Sequence, residues 1–255
     1  WSSDVCSSDL NTTSFINGPI VKEFQENLEK YLGVKHVIPC ANGTDAIQVA
    51  LMSLDLNPGD EIITTNFSFA STIEVILLLG LKPVVIDIDP RTFNINPELI
   101  EEKINDKTKV IIPVHLFGQS CRMEEILEIA NRNNLYIIED NAQALGSKFK
   151  FSNSQKKFAG TIGDISTTSF FPSKNLGCYG DGGAIMTDSD SIAYKIRGLV
   201  NHGMYERYYH DEIGVNSRLD SIQAAILNVK LKYLDKYNSN RILAASLYRS
   251  EEHTS

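Results

Sequence analysis

Two periodicities alternate between residues 43 and 200, and that alternation constrains the fold more than any other feature of the chain. Short apolar runs bounded by polar or turn residues, at 61–65, 84–88, 110–114, 135–139, 165–170 and 183–187, read as strands. Between them, segments 71–79, 97–104, 123–132 and 191–200 carry apolar residues at helical spacing. Such alternation predicts an α/β fold, a mainly parallel sheet with helices on both faces. Upstream, Pro19 follows Gly18, and Val21, Phe24, Leu28 and Leu32 recur at helical spacing, so a helix starts with proline in its first turn and ends near Gly33. A second helix begins at Gly43-Thr44-Asp45 and runs to about Leu54, with Ile47, Ala50, Leu51 and Leu54 as its buried stripe. Segment 146–163 loses the pattern and reads as an excursion loop or small hairpin. From Leu219 to about Leu247 one long helix is expected, with Ile222, Ala225, Ile226, Val229, Tyr233 and Leu234 on one side.

Composition removes several function classes. With 255 residues, 42% of them hydrophobic, the chain can bury a sizeable core. A net charge of -8, and no lysine/arginine cluster, speak against nucleic acid as a partner. The longest apolar run, 75–81, contains Gly80 and falls far short of the ~20 residues of a membrane helix. Cys6, Cys40, Cys121 and Cys178 form no C-x-x-C pair, and His115, His202 and His210 sit at no metal-ligand spacing, so no metal is expected and a reduced, cytoplasmic protein is the simplest reading. The opening W-S-S-D-V-C-S-S-D-L lacks the basic and apolar regions of a signal peptide. Both it and the closing S-E-E-H-T-S fit no surrounding pattern and look foreign to the chain.

Four segments carry chemistry. S-F-F-P-S-K-N-L-G, 169–177, followed by G-D-G-G at 180–183, puts Lys174 in a turn after a strand. An amine there can condense with an aldehyde and carry a proton, although one lysine alone is equally a solvated loop residue. E-D-N-A-Q-A, 139–144, sets Asp140 at the carboxyl end of a strand, where ligands of open α/β sheets gather; alone, an acidic pair there is more often a cap or turn. A-N-G-T-D-A, 41–46, opens the second helix, whose free amides and dipole suit an anion, and Thr44 or Asn42 as a simple cap would use the same donors. G-V-N-S-R-L-D, 214–220, is by itself a polar turn before the last helix.

Taken together, these segments resemble the DegT/StrS-type pyridoxal-phosphate-dependent sugar-nucleotide aminotransferases, of fold type I, from about Phe15 to Tyr248 and in the family's order. The resemblance implies pyridoxal 5'-phosphate as cofactor, Lys174 as the Schiff-base lysine and proton carrier, and Asp140 as the partner of the pyridine nitrogen. It implies Gly43, Thr44 and Asp45 as a phosphate cup completed by Ser169, Gln143 on the side of the phenolic oxygen, and Phe69 stacked on the ring, with Phe67 as its rival. It further implies a homodimer in which Asn216 reaches the neighbour's cofactor phosphate, with Arg218 as a substrate contact. The reaction so implied is ping-pong transfer from an amino-acid donor, glutamate, to a nucleotide-linked keto-sugar, in amino-sugar or surface polysaccharide biosynthesis. Relatives that dehydrate carry histidine in place of the lysine, which Lys174 disfavours.

Two other readings stay open: a noncatalytic or regulatory relative that binds the cofactor, and a nucleotide-binding α/β oxidoreductase domain. The latter lacks a G-x-G-x-x-G turn after its first strand. The expected division is a leader at 1–10, a cofactor-binding large domain at 11–218, a long helix at 219–249 leading toward a truncated small domain, and a tail at 250–255. That helix is expected to expose an apolar stripe.

Overall fold

The computed structural model describes residues 16–251; the leader 1–10 and residues 252–255 of the tail lie outside them. The chain runs α1 (Pro19–Leu32), β1 (His36–Cys40), α2 (Gly43–Met52), β2 (Glu61–Thr65), α3 (Ser71–Leu78), β3 (Lys82–Ile86), α4 (Pro97–Glu101), β4 (Thr108–Ile112), α5 (Met123–Asn133) and β5 (Tyr136–Asp140). It continues through a small hairpin, β6 (Lys148–Lys150) and β7 (Lys156–Phe158), then β8 (Ile165–Ser169), β9 (Gly183–Thr187) and α6 (Asp190–Leu199). A second hairpin, β10 (Met204–Glu206) and β11 (Tyr209–His210), precedes α7 (Ser221–Leu231) and α8 (Leu234–Glu251).

Seven strands form one sheet in the order β1-β9-β8-β5-β4-β2-β3. β3, β2, β4, β5 and β8 run parallel, and β9 runs antiparallel to both of its neighbours. Because strand side chains alternate faces, neighbouring apolar residues separate into different cores. Ile38, Ile62, Ile112, Ile138 and Ile185 meet α2, α3 and α6 on one face. On the other, Val37, Ala184 and Met186 meet α1 and α7, while Ile63, Ile111 and Ile137 meet α4 and α5. Burial on both faces explains why the central strands read as continuous apolar runs.

Helix α1 starts at Pro19 and stops at Gly33, whose φ of 72° places it in the left-handed region with its amide on the Glu29 carbonyl. The stripe expected on α2 is buried. Cys40, Cys121 and Cys178 are free thiols in the interior. Among the described residues, no helix is long and apolar enough to cross a membrane.

The structure corrects the sequence reading at the sheet edges and in the last helix. Strand β1, with Pro39 in its middle, was not expected; it lies at the sheet edge, where the missing proline amide costs no ladder bond. Strand β3 starts two residues before the expected 84 and includes Pro83, at the opposite edge. The strand expected at 110–114 is Thr108–Ile112, and the helix expected at 97–104 stops at Glu101. The helix expected from 219 to 247 is two helices, broken at residues 232–233. Its expected apolar side also divides: Ala225, Ile226 and Leu234 are buried, whereas Ile222, Val229 and Tyr233 are exposed. α7 instead turns Ala224, Leu227 and Leu231 onto α1, where Asn27 donates to Asn228 at 2.9 Å.

This register is open to a paired test by urea unfolding. Leu227, 0% exposed, should cost roughly 2–5 kcal/mol when changed to alanine. Val229, 43% exposed, should cost only about 0.5 kcal/mol; equal losses would contradict the packing.

Candidate active site

The loops that follow β1, β2, β4, β5 and β8 contribute to one cavity of about 450 Å³. Gly43 and Thr44 enter from the start of α2, Phe69 from the β2–α3 loop, Asp140 and Gln143 from the end of β5, and Ser169 and Lys174 from the end of β8. The structure thus gathers seven of the nine residues to which the resemblance gave cofactor roles.

The helix end is shaped as an anion site. Asn42 caps α2: its side-chain oxygen accepts the Asp45 amide at 2.8 Å and its carbonyl accepts the Ala46 amide at 3.1 Å. The amides of Gly43 and Thr44 have no intrahelical acceptor. Ser169 stands against them so closely that a Cβ on Gly43 would lie 2.7 Å from the Ser169 Cβ, which only glycine avoids. The Ser169 hydroxyl accepts the Phe171 amide at 3.2 Å and keeps its own proton to donate.

The two adjacent carboxylates at the end of β5 go to opposite sides. Glu139 is fully buried and is met by His115 Nε2 at 2.7 Å and by the amides of Gly160, Ile162 and Gly163 at 2.8, 2.6 and 2.6 Å. The His115 Nδ1 accepts the Cys121 amide at 3.1 Å, so the ring proton sits on Nε2 and is donated to Glu139. Burial pushes the Glu139 pKa up, but the His115 hydrogen bond and the loop amides outweigh it and hold the carboxyl below its ordinary value.

Asp140 faces the cavity. Its Oδ1 accepts the Ala142 amide at 3.1 Å and its Oδ2 the Thr72 hydroxyl at 3.0 Å. Its backbone is pinned on both sides, the amide to Pro113 and the carbonyl to the His115 amide. Burial raises its pKa above the usual aspartate value, and the hydrogen bonds from Ala142 and Thr72 and the charge of Lys174 offset this only in part.

Lys174 rides on a compact loop. Its amide donates to the Phe171 carbonyl at 2.9 Å, Phe170 exchanges hydrogen bonds with Gly182 and Cys178, and Lys230 of α7 donates to the Gly177 carbonyl. Gln143 accepts the Phe117 amide at 2.7 Å through its side-chain oxygen, so only its NH2 remains to donate into the cavity. Of the two phenylalanines, Phe69 lines the cavity and is 71% exposed, while Phe67 packs against Phe93 and Phe117.

Three expected site residues lie elsewhere. The Asp45 carboxylate accepts the Ser217 hydroxyl at 2.7 Å and ties α2 to that loop; its amide is already used by the Asn42 cap. Asn216 is exposed and bridges to Asn201, and Arg218 lines a separate cavity beside Arg197 and Lys22. Thr72 and Asp181 are among the residues of the site that the sequence did not single out. Thr72 is 68 positions from Asp140, with no local signal to connect them. Asp181, in the G-D-G-G segment, lines the same cavity. Among the described residues, no group of three metal-ligating side chains is found.

The model of the DegT/DnrJ/EryC1/StrS aminotransferase family matches residues 3–252. A protein of Geobacillus stearothermophilus named "Pleiotropic regulatory protein" is 48% identical over 94% of this chain and 63% of its own length. The "UDP-2-acetamido-2-deoxy-3-oxo-D-glucuronate aminotransferase" of Pseudomonas aeruginosa is 47% identical over 94% of this chain and 65% of its own. The chain therefore spans slightly less than two thirds of these relatives. A Bacillus subtilis crystal structure described "with bound cofactor pmp" superposes with a TM-score of 0.82 at 39% identity, covering 91% of this chain and 52% of that one.

The two carboxylates should respond oppositely to amidation. A raised pKa means that the contribution of Asp140 to stability is full below the unfolded value and lost as pH rises, so Asp140→Asn should leave the cofactor-free protein at least as stable at pH 7, with the difference shrinking in acid. A lowered pKa means that the contribution of Glu139 is present above its unfolded value and lost as pH falls, so Glu139→Gln should cost roughly 1–3 kcal/mol at pH 7. Urea unfolding between pH 4 and 8 checks both signs; a less stable Asp140→Asn at neutral pH would contradict the assignment.

Proposed function

This chain belongs to the DegT/DnrJ/EryC1/StrS aminotransferase family, and from that membership we propose that it uses pyridoxal 5'-phosphate to move an amino group from glutamate to the ketone of a nucleotide-linked sugar. The observation that carries the proposal is the single cavity lined by an amine, a buried carboxylate and the first turn of a helix. Those three features fit the cofactor's aldehyde, ring nitrogen and phosphate. When bound, pyridoxal phosphate supplies an electron-withdrawing ring that stabilises negative charge on the substrate carbon.

The chain's own residues do the rest. The Gly43 and Thr44 amides and the Ser169 hydroxyl hold the phosphate, and the helix dipole favours its charge. Phe69 covers one ring face. The Gln143 NH2 donates to the ring oxygen, its own oxygen being occupied by Phe117. Asp140, whose burial makes its charge costly without a partner, holds a proton on the ring nitrogen and gains the missing positive neighbour. Thr72 and Ala142 keep that carboxylate oriented. Lys174 Nζ takes the proton from the donor carbon and returns it on the other side of the transfer.

The same reading extends to a homodimer. Asn216 and Arg218 lie outside the cavity of their own chain, and exposure leaves Asn216 available to a second copy's phosphate site. A cytoplasmic role in amino-sugar supply for lipopolysaccharide or other surface polysaccharide suits substrates of this kind. A regulatory, noncatalytic role is the second reading, favoured by the name of the Geobacillus relative.

Turnover separates the two. Supplied with pyridoxal phosphate, the chain should convert glutamate to 2-oxoglutarate, and Lys174→Ala should lower the rate by at least about 10²–10⁴-fold. Borohydride reduction followed by peptide mapping should find the cofactor on Lys174. Adduct on another lysine would overturn the assignment, and cofactor uptake without glutamate conversion would favour the regulatory reading.

A further inference from the structure

A second cavity, of about 570 Å³, adjoins the first and shares Lys174, Gln143 and Ser173 with it. Its far wall is α8, through Asn238, Arg241 and Ile242. The start of α8 is fixed to the large core. Tyr31 donates to Asp235 at 2.6 Å, Asn238 donates to the Leu145 carbonyl at 3.1 Å, and Asn175 reaches both that carbonyl and the Asn238 side-chain oxygen. Residues three and four apart share a helix face, so the bonds that pin Asp235 and Asn238 also turn Arg241 toward this cavity.

Three polar groups of the walls are spent. Asn175 and Asn238 are committed to Leu145, and the Ser147 hydroxyl donates to the Gly118 carbonyl at 2.6 Å. Arg241 is not: among the described residues its side chain makes no hydrogen bond or ion pair, and from an exposed position it lines a cavity that reaches the reactive lysine. A guanidinium offers a planar fork that matches one carboxylate in a bidentate pair. One such cation answers a carboxylate better than the doubled charge of a diphosphate.

We propose that this second cavity is the subsite for the carboxylate-bearing amino donor, with Arg241 gripping a donor carboxylate while the donor amine points at the Lys174 side. The proposal rests on the aminotransferase reading above and adds to it a donor subsite distinct from the phosphate cup. No covalent step is added. Arg241 selects and orients an anion, and a neutral amine should be a poor donor for want of this contact.

Calorimetric titration of glutarate, a dicarboxylate that cannot transfer nitrogen, into the chain saturated with pyridoxal phosphate tests the subsite without turnover. The parent should bind glutarate, Arg241→Gln should weaken it by about 10- to 100-fold, the range for losing a hydrogen-bonded charge, and Arg241→Lys should fall between. Cofactor absorbance should be the same in all three proteins. Uridine diphosphate, titrated in parallel, should bind the parent and Arg241→Gln alike. Equal glutarate affinity in parent and Arg241→Gln, no glutarate binding by the parent, or a loss confined to uridine diphosphate would overturn the donor subsite. The glutamate conversion assay reads separately: conversion that persists beside an unchanged glutarate affinity removes the subsite alone, whereas absent conversion removes the aminotransferase reading.

Discussion

The site depends on what happens at the end of one strand, where β5 delivers Glu139 and Asp140 side by side. Strand alternation forces the two carboxylates apart, one into the protein and one into the cavity. Glu139 spends both oxygens on His115 and on the amides of the turn before β8. That arrangement fixes the turn from which β8 carries Ser169 and then Lys174 to the cavity. Asp140 receives only two hydrogen bonds and keeps a charge that burial makes costly. A stable pair on one face thus supports an unbalanced carboxylate on the other, the pattern in which local instability serves a ligand.

A second constraint is the close approach of α2 to the end of β8. Gly43 permits Ser169 to sit against the helix terminus, and the Asn42 cap satisfies the third and fourth amides while leaving the first two. Capping and anion binding are often alternative uses of the same donors. Here they are divided along the first turn, so the helix is secured without closing the site.

Much of this was legible in the sequence because the informative residues are contiguous. The residues 169–177 and 139–144 each bring their own strand end, and the alternation of strands and helices orders them along one sheet edge. What stayed hidden has physical causes. Pro39 and Pro83 disguised the edge strands, since proline argues against a strand until the edge position is known. The 219–247 stretch is apolar on more than one side, so no period revealed its break or which face meets α1. Thr72 reaches Asp140 across 68 residues, and Arg241 lines a cavity with Lys174 from a helix that Asp235 and Asn238 anchor. Asp45 was assigned by its neighbours in the motif, yet its amide belongs to the cap and its carboxylate to Ser217.

In the proposed function, Asp140 holds a proton on the ring nitrogen of a bound cofactor. Nitrogen-15 nuclear magnetic resonance of the chain loaded with pyridoxal phosphate labelled at that nitrogen reads the proton directly. The nitrogen should be protonated through neutral pH in the parent and unprotonated in Asp140→Asn, with the cofactor still bound. An unprotonated nitrogen in the parent, or the same signal in both proteins, would contradict it.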